Sequence, residues 1–235
     1  FRATLTTLSN EVLAIGEGVE DIVMNRGLQR HREGFPAGAF FQVPYTVNDA
    51  DGNGLLTNDE VTLGDEEEYI GPALPTYQAS FGTELRMFDW LRVSSLFEAR
   101  GGNYQGNDSE AFRCGFRSTR GCVAVAGADA TLDQQATYIA DRYLGSAYGT
   151  IEKADFIKWR ELSVTLTAPE SLASSMSQLD GLSITISGRN LATWTDYPGI
   201  DPETVEGGGS VNFNQSEFNT QPPVRYLMVR LNYNF

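Results

Sequence analysis

Residues Asp49 to Glu60 read DADGNGLLTNDE, and their types and spacing suit a hard divalent cation. Oxygen-bearing side chains stand at the first, third, fifth, ninth and twelfth places: Asp49, Asp51, Asn53, Thr57 and Glu60. The pattern D-x-[DN]-x-[DN]-G-x5-E is the one that wraps calcium between two helices. On that reading Asp49, Asp51 and Asn53 give side-chain oxygens and Leu55 its carbonyl. Thr57 gives a water-bridged contact and Glu60 a bidentate carboxylate. The flanks are not helical, because VPYTV precedes the loop and VTLG follows it. The loop is therefore expected to hold calcium as an excursion between strands. The competing reading is an Asp/Asn/Gly turn with no ion.

Other reactive side chains are sparse. Cys114 and Cys122 lie close together in FRCGFRSTRGC. Their spacing suits a small disulfide loop in an oxidising compartment, worth roughly 2–3 kcal/mol if unstrained; two free thiols are the alternative. His31 is the only histidine and is far from both cysteines in sequence, so zinc is not expected and His31 reads as a surface loop residue. The acidic run DEEEY, residues 65–69, reads as a solvated face. Asp196, Asp201 and Glu203 stand beside Pro198, Gly199 and Pro202 in a turn-rich stretch, which is a poor platform for a glycosidase pair. No nucleophile elbow, zinc-protease, Walker or Rossmann pattern is present, so no catalytic or cofactor-binding residues are expected.

The elements that must position these residues are strands. In the tail RYLMVRLNYNF, Leu227, Val229, Leu231, Tyr233 and Phe235 share one parity, and Met228, Arg230, Asn232 and Asn234 the other. A period of two marks a strand with one apolar face. GLSITISGRNLATW alternates through Leu182, Ile184, Ile186, Ala192 and Trp194, and FIKWRELSVTLTAP through Leu162, Val164 and Leu166. TYQASFGTELRMF and LRVSSLFEARGG do the same, and RATLTTLSNEVLAI is a weaker sixth candidate. Short and long connections alternate: Phe88–Trp90 and Pro169–Gly181 are short, whereas 16–74, 102–149 and 196–222 are long, polar and rich in Gly, Asn and Asp. Outer-membrane barrels have short periplasmic turns and long extracellular loops. The C-terminus is then expected on the periplasmic side and the long loops outside.

Composition agrees with an all-β chain. Of 235 residues, 11% are aromatic and 24 are Gly. Asp and Glu number 31 against 17 Lys and Arg, a formal charge of -14 that argues against nucleic acid. No apolar run is long enough for a spanning helix, which leaves strands free to cross a membrane. The inward parity carries Arg86, Arg92, Glu98 and Arg230. A wet interior requires a wide barrel, and a wide barrel requires more strands than this chain supplies. Trp90 and Phe88 are expected in one interfacial girdle and Trp194 in the other.

GRNLATWTDYPGIDPE followed by a last alternating strand ending in Phe resembles the C-terminal signature of SusC/RagA-type TonB-dependent outer-membrane transporters. DADGNGLLTNDE, IGPALPTYQASFG, FEARGG and FIKWRELSVTLTAP resemble further pieces of that family in order. The resemblance implies that 1–235 is the C-terminal part of a barrel of ~22 strands, an antiparallel transmembrane segment of about six. It places a plug domain and a TonB-contact segment outside this chain. It also implies uptake of glycans or peptides across the outer membrane, with a SusD-like surface lipoprotein as partner. The alternative class is a soluble extracellular calcium-binding β-domain, an adhesin or carbohydrate-binding module. In that class the apolar stripes of different strands would pack on one another.

Overall fold

The computed structural model describes residues 1–116, 129–169, 181–206 and 213–234. The chain opens with β1 (Arg2–Thr7), then β2 (Asp21–Met24), β3 (Gln29–Arg32), β4 (Ala39–Gln42), β5 (Tyr45–Val47), β6 (Val61–Leu63) and β7 (Glu68–Gly71). The long strands β8 (Tyr77–Met87) and β9 (Leu91–Gly101) follow. Next come β10 (Tyr104–Asn107), helices α1 (Asp108–Phe116) and α2 (Leu132–Ile139), and β11 (Ile151–Lys153). The long β12 (Phe156–Thr167) and β13 (Gly181–Thr195), the short β14 (Ser216–Glu217) and β15 (Tyr226–Asn234) complete the order.

One six-stranded sheet, β1-β8-β9-β12-β13-β15, is antiparallel throughout. Its register aligns like with like. Leu85 faces Val93, Val93 faces Val164, Val164 faces Ile186 and Ile186 faces Val229. The neighbouring row on that face is Met87, Leu91, Leu166, Ile184 and Leu231. Higher up, Phe81, Phe97, Trp159 and Ala192 form another, with Phe97 and Trp159 stacked at 5.6 Å. These apolar rows do not pack on a second layer: Ile186 is 50% exposed, Val229 66% and Leu231 59%. Exposed apolar area on this scale marks an interaction surface. A strand of 11 residues at ~3.3 Å per residue, tilted by ~40°, spans about 25 Å, the height of an outer-membrane apolar band.

A bulge between Trp159 and Glu161 sets the inner face. The extra residue, Arg160, shifts the parity of β12, so that Lys158, Arg160 and Glu161 all lie opposite the apolar rows. Arg160 then reaches Glu98, and Glu161 accepts from Arg189 at 2.8 Å. The Gly101–Gly102 pair takes β9 out of the sheet. Gly102 has φ +76°, a Cβ there would collide with the Thr76 hydroxyl, and its N–H donates to Asp155 Oδ1 at 2.7 Å.

The long segments are not bare loops. They fold into a cap at one end of the sheet, with sheets β2-β3-β4-β7, β5-β6 and β11-β10-β14 and the two helices. The expectation of an all-β chain is corrected to that extent. The cap also holds both packed cores. Leu28, Phe40, Ala73 and Ile151 form one; Val61, Ala136, Ile139 and Ala140 form the other. Three buried glutamines tie the long segments together in pairs. Gln29 donates to the carbonyls of Gly38 (2.6 Å) and Phe213 (2.8 Å) and accepts from the Gln215 N–H. Gln105 donates to the Thr204 carbonyl at 2.7 Å, and Gln135 holds both Gly54 O and Leu56 N–H. The weak first candidate is a strand only over Arg2–Thr7; beyond it Leu13 is 82% exposed.

Two substitutions separate the faces. Ile186→Arg on the apolar row is expected to cost about 2–4 kcal/mol of stability in lipid vesicles, near the value for a lipid-facing arginine at mid-depth. Ser94→Arg, directly opposite Glu84 on the other face, is expected to be near neutral. Urea titration of the vesicle-refolded protein measures both.

Candidate functional site

The hairpin β5–β6 carries the candidate metal loop, with Tyr45 opposite Leu63 and Val47 opposite Val61. Asn48 N–H closes the base onto the Glu60 carbonyl at 2.9 Å. The expected strand flanks are therefore found, and no helix pair surrounds the loop. Inside it, the carboxylate oxygens of Asp49, Asp51 and Glu60 lie within 4.8 Å of one another. Backbone N–H groups hold them: Gly54 donates to Asp49 Oδ2 (3.1 Å), Asn53 to Asp51 Oδ1 (3.1 Å) and Ala50 to Glu60 Oε1 (3.0 Å). Gly52 and Gly54 adopt φ +69° and +75°, which lets the loop turn back on itself.

The remaining residues of the set are placed differently. Asn53 donates its amide to Asp51 Oδ2 and accepts from the Leu55 N–H. Thr57 caps the turn, its N–H and hydroxyl both donating to Glu60 Oε2 at 2.8 and 3.0 Å. Those bonds, the Thr57 N–H first and the Ala50 N–H second, hold the Glu60 carboxyl below its ordinary range. Asp49 Oδ1 is buried and has no hydrogen-bond partner in the protein. A converging all-oxygen set with one orphaned carboxylate oxygen fits calcium, which takes six to eight hard oxygens. Gln135 of α2 fixes the loop from behind. Nothing in the local sequence marks that residue, because its partners lie about eighty positions away.

A second constellation sits where the cap meets the inner face of the sheet. Lys158 is 3% exposed, and its ammonium donates to both Asp201 oxygens (2.7 and 2.8 Å) and to Glu203 Oε2 (2.9 Å). Arg160 forks onto Glu203 at 2.8 and 2.5 Å and reaches Glu98 at 2.8 Å. Arg100 donates twice to Glu98 Oε1, at 2.9 and 2.7 Å. The Phe156 ring lies 5.1–5.9 Å from all three cations. Three cations thus meet three carboxylates, and the cluster is neutral. Burial alone would raise the Glu203 carboxyl, but the bonds from Arg160 and Lys158 hold it at about 2. Glu217 secures the approach: its Oε2 accepts from Ile200 N–H at 2.7 Å, and burial and the Glu217 charge push the neighbouring Tyr197 phenol well up. Asp201 and Glu203 are therefore structural anions, consistent with the rejection of a glycosidase pair.

Other residues singled out from sequence are placed as follows. His31 is not on a surface loop. It lies on β3, accepts from Gly38 N–H at 3.0 Å and meets Phe213 edge-on. Glu67 of the acidic run pairs with Arg30 and Arg32. Phe88 and Trp90 stack at 5.7 Å at the tight turn, and Trp194 sits at the opposite end of the sheet. Cys114 is on α1, and Cys122, its expected disulfide partner, lies outside the described residues.

No protein-family model matches the chain. The TonB-dependent receptor P3 of Formosa agariphila is 28% identical over 194 residues, covering 80% of this chain and 18% of that protein. The fold is similar to the RagAB peptide transporter at TM-score 0.69 and 19% identity, over 97% of this chain and 26% of that one. The RagAB peptide importer in its closed-closed and open-open states is matched at TM-scores 0.68 and 0.66. The chain spans about a fifth of the curated relative and about a quarter of these structures. Its resemblance to the barrel portion of SusC/RagA-like TonB-dependent transporters thus stands on a sequence relative and on fold.

Removing one partner of a buried ion cluster leaves an unpaired charge, at a cost of about 3–5 kcal/mol. Lys158→Met is expected to lose that much, with the 196–206 segment becoming protease-sensitive. Because the Glu203 carboxyl is depressed from 4.5 to about 2, its contribution is complete above pH 4.5 and is lost as pH falls through about 2. Melting temperatures of wild type and Glu203→Gln should therefore converge over that window.

Proposed function

We propose that this chain is the C-terminal wall and outer cap of a TonB-dependent transporter that takes up nutrients across a bacterial outer membrane. The carrying observation is the register of the six-stranded sheet. One face is apolar across five aligned strands in the Met87 and Leu85 rows and carries Phe81, Phe97 and Trp159 beyond a mixed row with Thr83, Ser95 and Gly188, and the other face carries charge. Lipid and water on opposite flanks are the surroundings that this division suits. Neither edge strand, β1 nor β15, has a second neighbour among the described residues. In lipid such edges must be paired, so further strands would close the barrel. The cap then lies outside the cell and the C-terminus on the periplasmic side. The substrate is a glycan or a peptide, a SusD-like lipoprotein covers the cap, and TonB is reached through a segment outside this chain. A soluble calcium-binding β-domain is disfavoured, because the apolar rows stay exposed rather than packing in a sandwich.

Deleting the gene and complementing it with the full-length protein tests the reading. Uptake of labelled oligosaccharides or oligopeptides should depend on the gene and on TonB, and a lysine introduced in the cap, Asn58→Lys, should be labelled by an impermeant amine reagent on whole cells. A protein recovered in the soluble fraction would sink the proposal.

We also infer that the Asp49–Glu60 loop holds calcium and pins the cap. Affinity in the ~10⁻⁴–10⁻³ M range suffices outside a cell. Millimolar calcium should slow amide exchange over residues 48–60 in the wild type and not in the Asp49→Asn, Glu60→Gln variant. Identical exchange with calcium and with chelator in the wild type contradicts it.

A further inference from the structure

The Asp49–Glu60 loop carries a second chemistry that cation binding does not use. Asn53 is the only asparagine of the chain that a glycine follows. A glycine nitrogen has no Cβ beside it, so it can approach the carbonyl carbon of the preceding side-chain amide. Three hydrogen bonds organise the pair. The Gly54 N–H donates to Asp49 Oδ2 at 3.1 Å, and the Leu55 N–H donates to Asn53 Oδ1 at 2.6 Å. The Asn53 side-chain nitrogen donates to Asp51 Oδ2 at 2.7 Å. Gly54 adopts φ +75° with nothing within 4 Å of where a Cβ would stand. Residues 51–55 are all exposed, so water reaches the amide freely.

We propose that Asn53 is a self-modifying site: the Gly54 nitrogen attacks the Asn53 side-chain carbonyl, and the loop deamidates whenever it holds no cation. Asp49 accepts the proton of the nucleophile, as a positioned general base does. The Leu55 N–H points at the oxygen on which negative charge develops, the place of an oxyanion donor. The bond between Gly54 N and Asn53 Cγ forms and the bond between Cγ and Nδ2 breaks. Nδ2 leaves as ammonia with the proton that Gly54 gave up, and a cyclic imide remains. Water then opens the imide at either carbonyl, giving aspartate at 53 or its β-linked isomer. In the first case a further carboxylate joins Asp49, Asp51 and Glu60, and calcium affinity is set by ligand charge. In the second the main chain runs through the side-chain carbons, and the bond from Leu55 N–H to Oδ1 is lost. The rearrangement itself needs no metal. Its arrest by calcium rests on the metal reading of the loop given above: an ion on Asp49 occupies the base, and the same ion on Asn53 Oδ1 fixes the electrophile. The loop thereby records the time it has spent empty.

The test uses the full-length protein in detergent micelles, with peptide mass mapping to follow the loss of ammonia. In chelator, Asn53 should convert at least ~10-fold faster than Asn48 and Asn58, which precede aspartates in the same hairpin. The folded loop should also convert faster than the same protein unfolded in urea. Asp49→Asn should slow the folded rate roughly tenfold, below the usual span for one general base. Asp59→Ala removes a nearby exposed charge outside the three bonds and should leave the rate unchanged, which separates a lost proton acceptor from lost negative charge. Calcium at ten times its dissociation constant should slow wild-type conversion about tenfold, because about a tenth of the loops are then empty. A folded rate at or below the rate in urea shows that the hydrogen bonds protect the amide, and overturns the proposal. An Asp49→Asn rate equal to wild type does the same. Fast conversion in chelator that calcium leaves unchanged supports the rearrangement and overturns the metal reading alone.

Discussion

Cross-strand register is the constraint on which the structure depends. Side chains alternate with a period of two, so a slip of one residue in any strand moves its apolar set to the opposite face. Here five strands agree in the Met87–Leu91–Leu166–Ile184–Leu231 and Leu85–Val93–Val164–Ile186–Val229 rows, and four agree again at Phe81–Phe97–Trp159–Ala192. One strand cannot satisfy both ends with simple alternation. In β12 the apolar positions are even at Leu162, Val164 and Leu166, but odd at Ile157 and Trp159. The bulge at Arg160 absorbs the change. Bulges that re-aim side chains are features of the design of a sheet, not defects. Without this one, either Trp159 or Lys158 would change face, and Lys158 would lose Asp201 and Glu203.

That same bulge builds the joint between wall and cap. By keeping Lys158 and Arg160 on one side, it aims two cations at the segment carrying Asp201 and Glu203. Desolvating six charges is favourable only when each finds its partners, and here each does. The joint then extends by hydrogen bonds: Glu217 to the backbone of Ile200, β14 to β10, and the glutamines between the long segments. Gln135 carries the chain of contacts to the hairpin loop, so the loop is mechanically continuous with the wall. Movement of any one long segment must break bonds to the other two. The cap is therefore expected to move as a unit rather than as separate loops, on the slow timescale of collective motions.

Sequence legibility followed the range of the interactions. The wall was readable because alternation is local and apolar residues recur on one parity of each long strand, even where Thr83, Ser95 or Gly188 interrupts them. The metal loop was readable because its donors and turn glycines fall within twelve consecutive positions. The cap was not readable. Ile151 and Tyr197 are isolated apolar residues in polar surroundings and acquire meaning only when distant segments meet. His31 looked like a loop residue because QRHR has no apolar alternation, yet β3 is held by pairing on both sides. Asp201 and Glu203 looked like rim acids because their cations lie more than forty positions upstream. The three buried glutamines gave no local signal, since an amide's partners are chosen by topology.

Net charge is a poor guide to such a molecule, because the fold separates its charges by depth. The chain is acidic as a whole at -14, and much of that charge lies in the cap, in the Asp49–Glu60 loop and residues 65–69. The joint beneath is neutral, and the far end of the inner face is basic. A cation held at Asp49, Asp51 and Glu60 reduces repulsion where it is densest, and salt screens the remainder within ~8–10 Å. Neither remedy reaches the other end of the sheet, a strand of 11 residues away at ~3.3 Å per residue. The two ends are thus screened from one another. The vertical ordering also gives the wall a polarity that its apolar face lacks. Both ends of the sheet present apolar rows and aromatic rings on one face, but among the described residues only the cap end of the other face is charge-balanced.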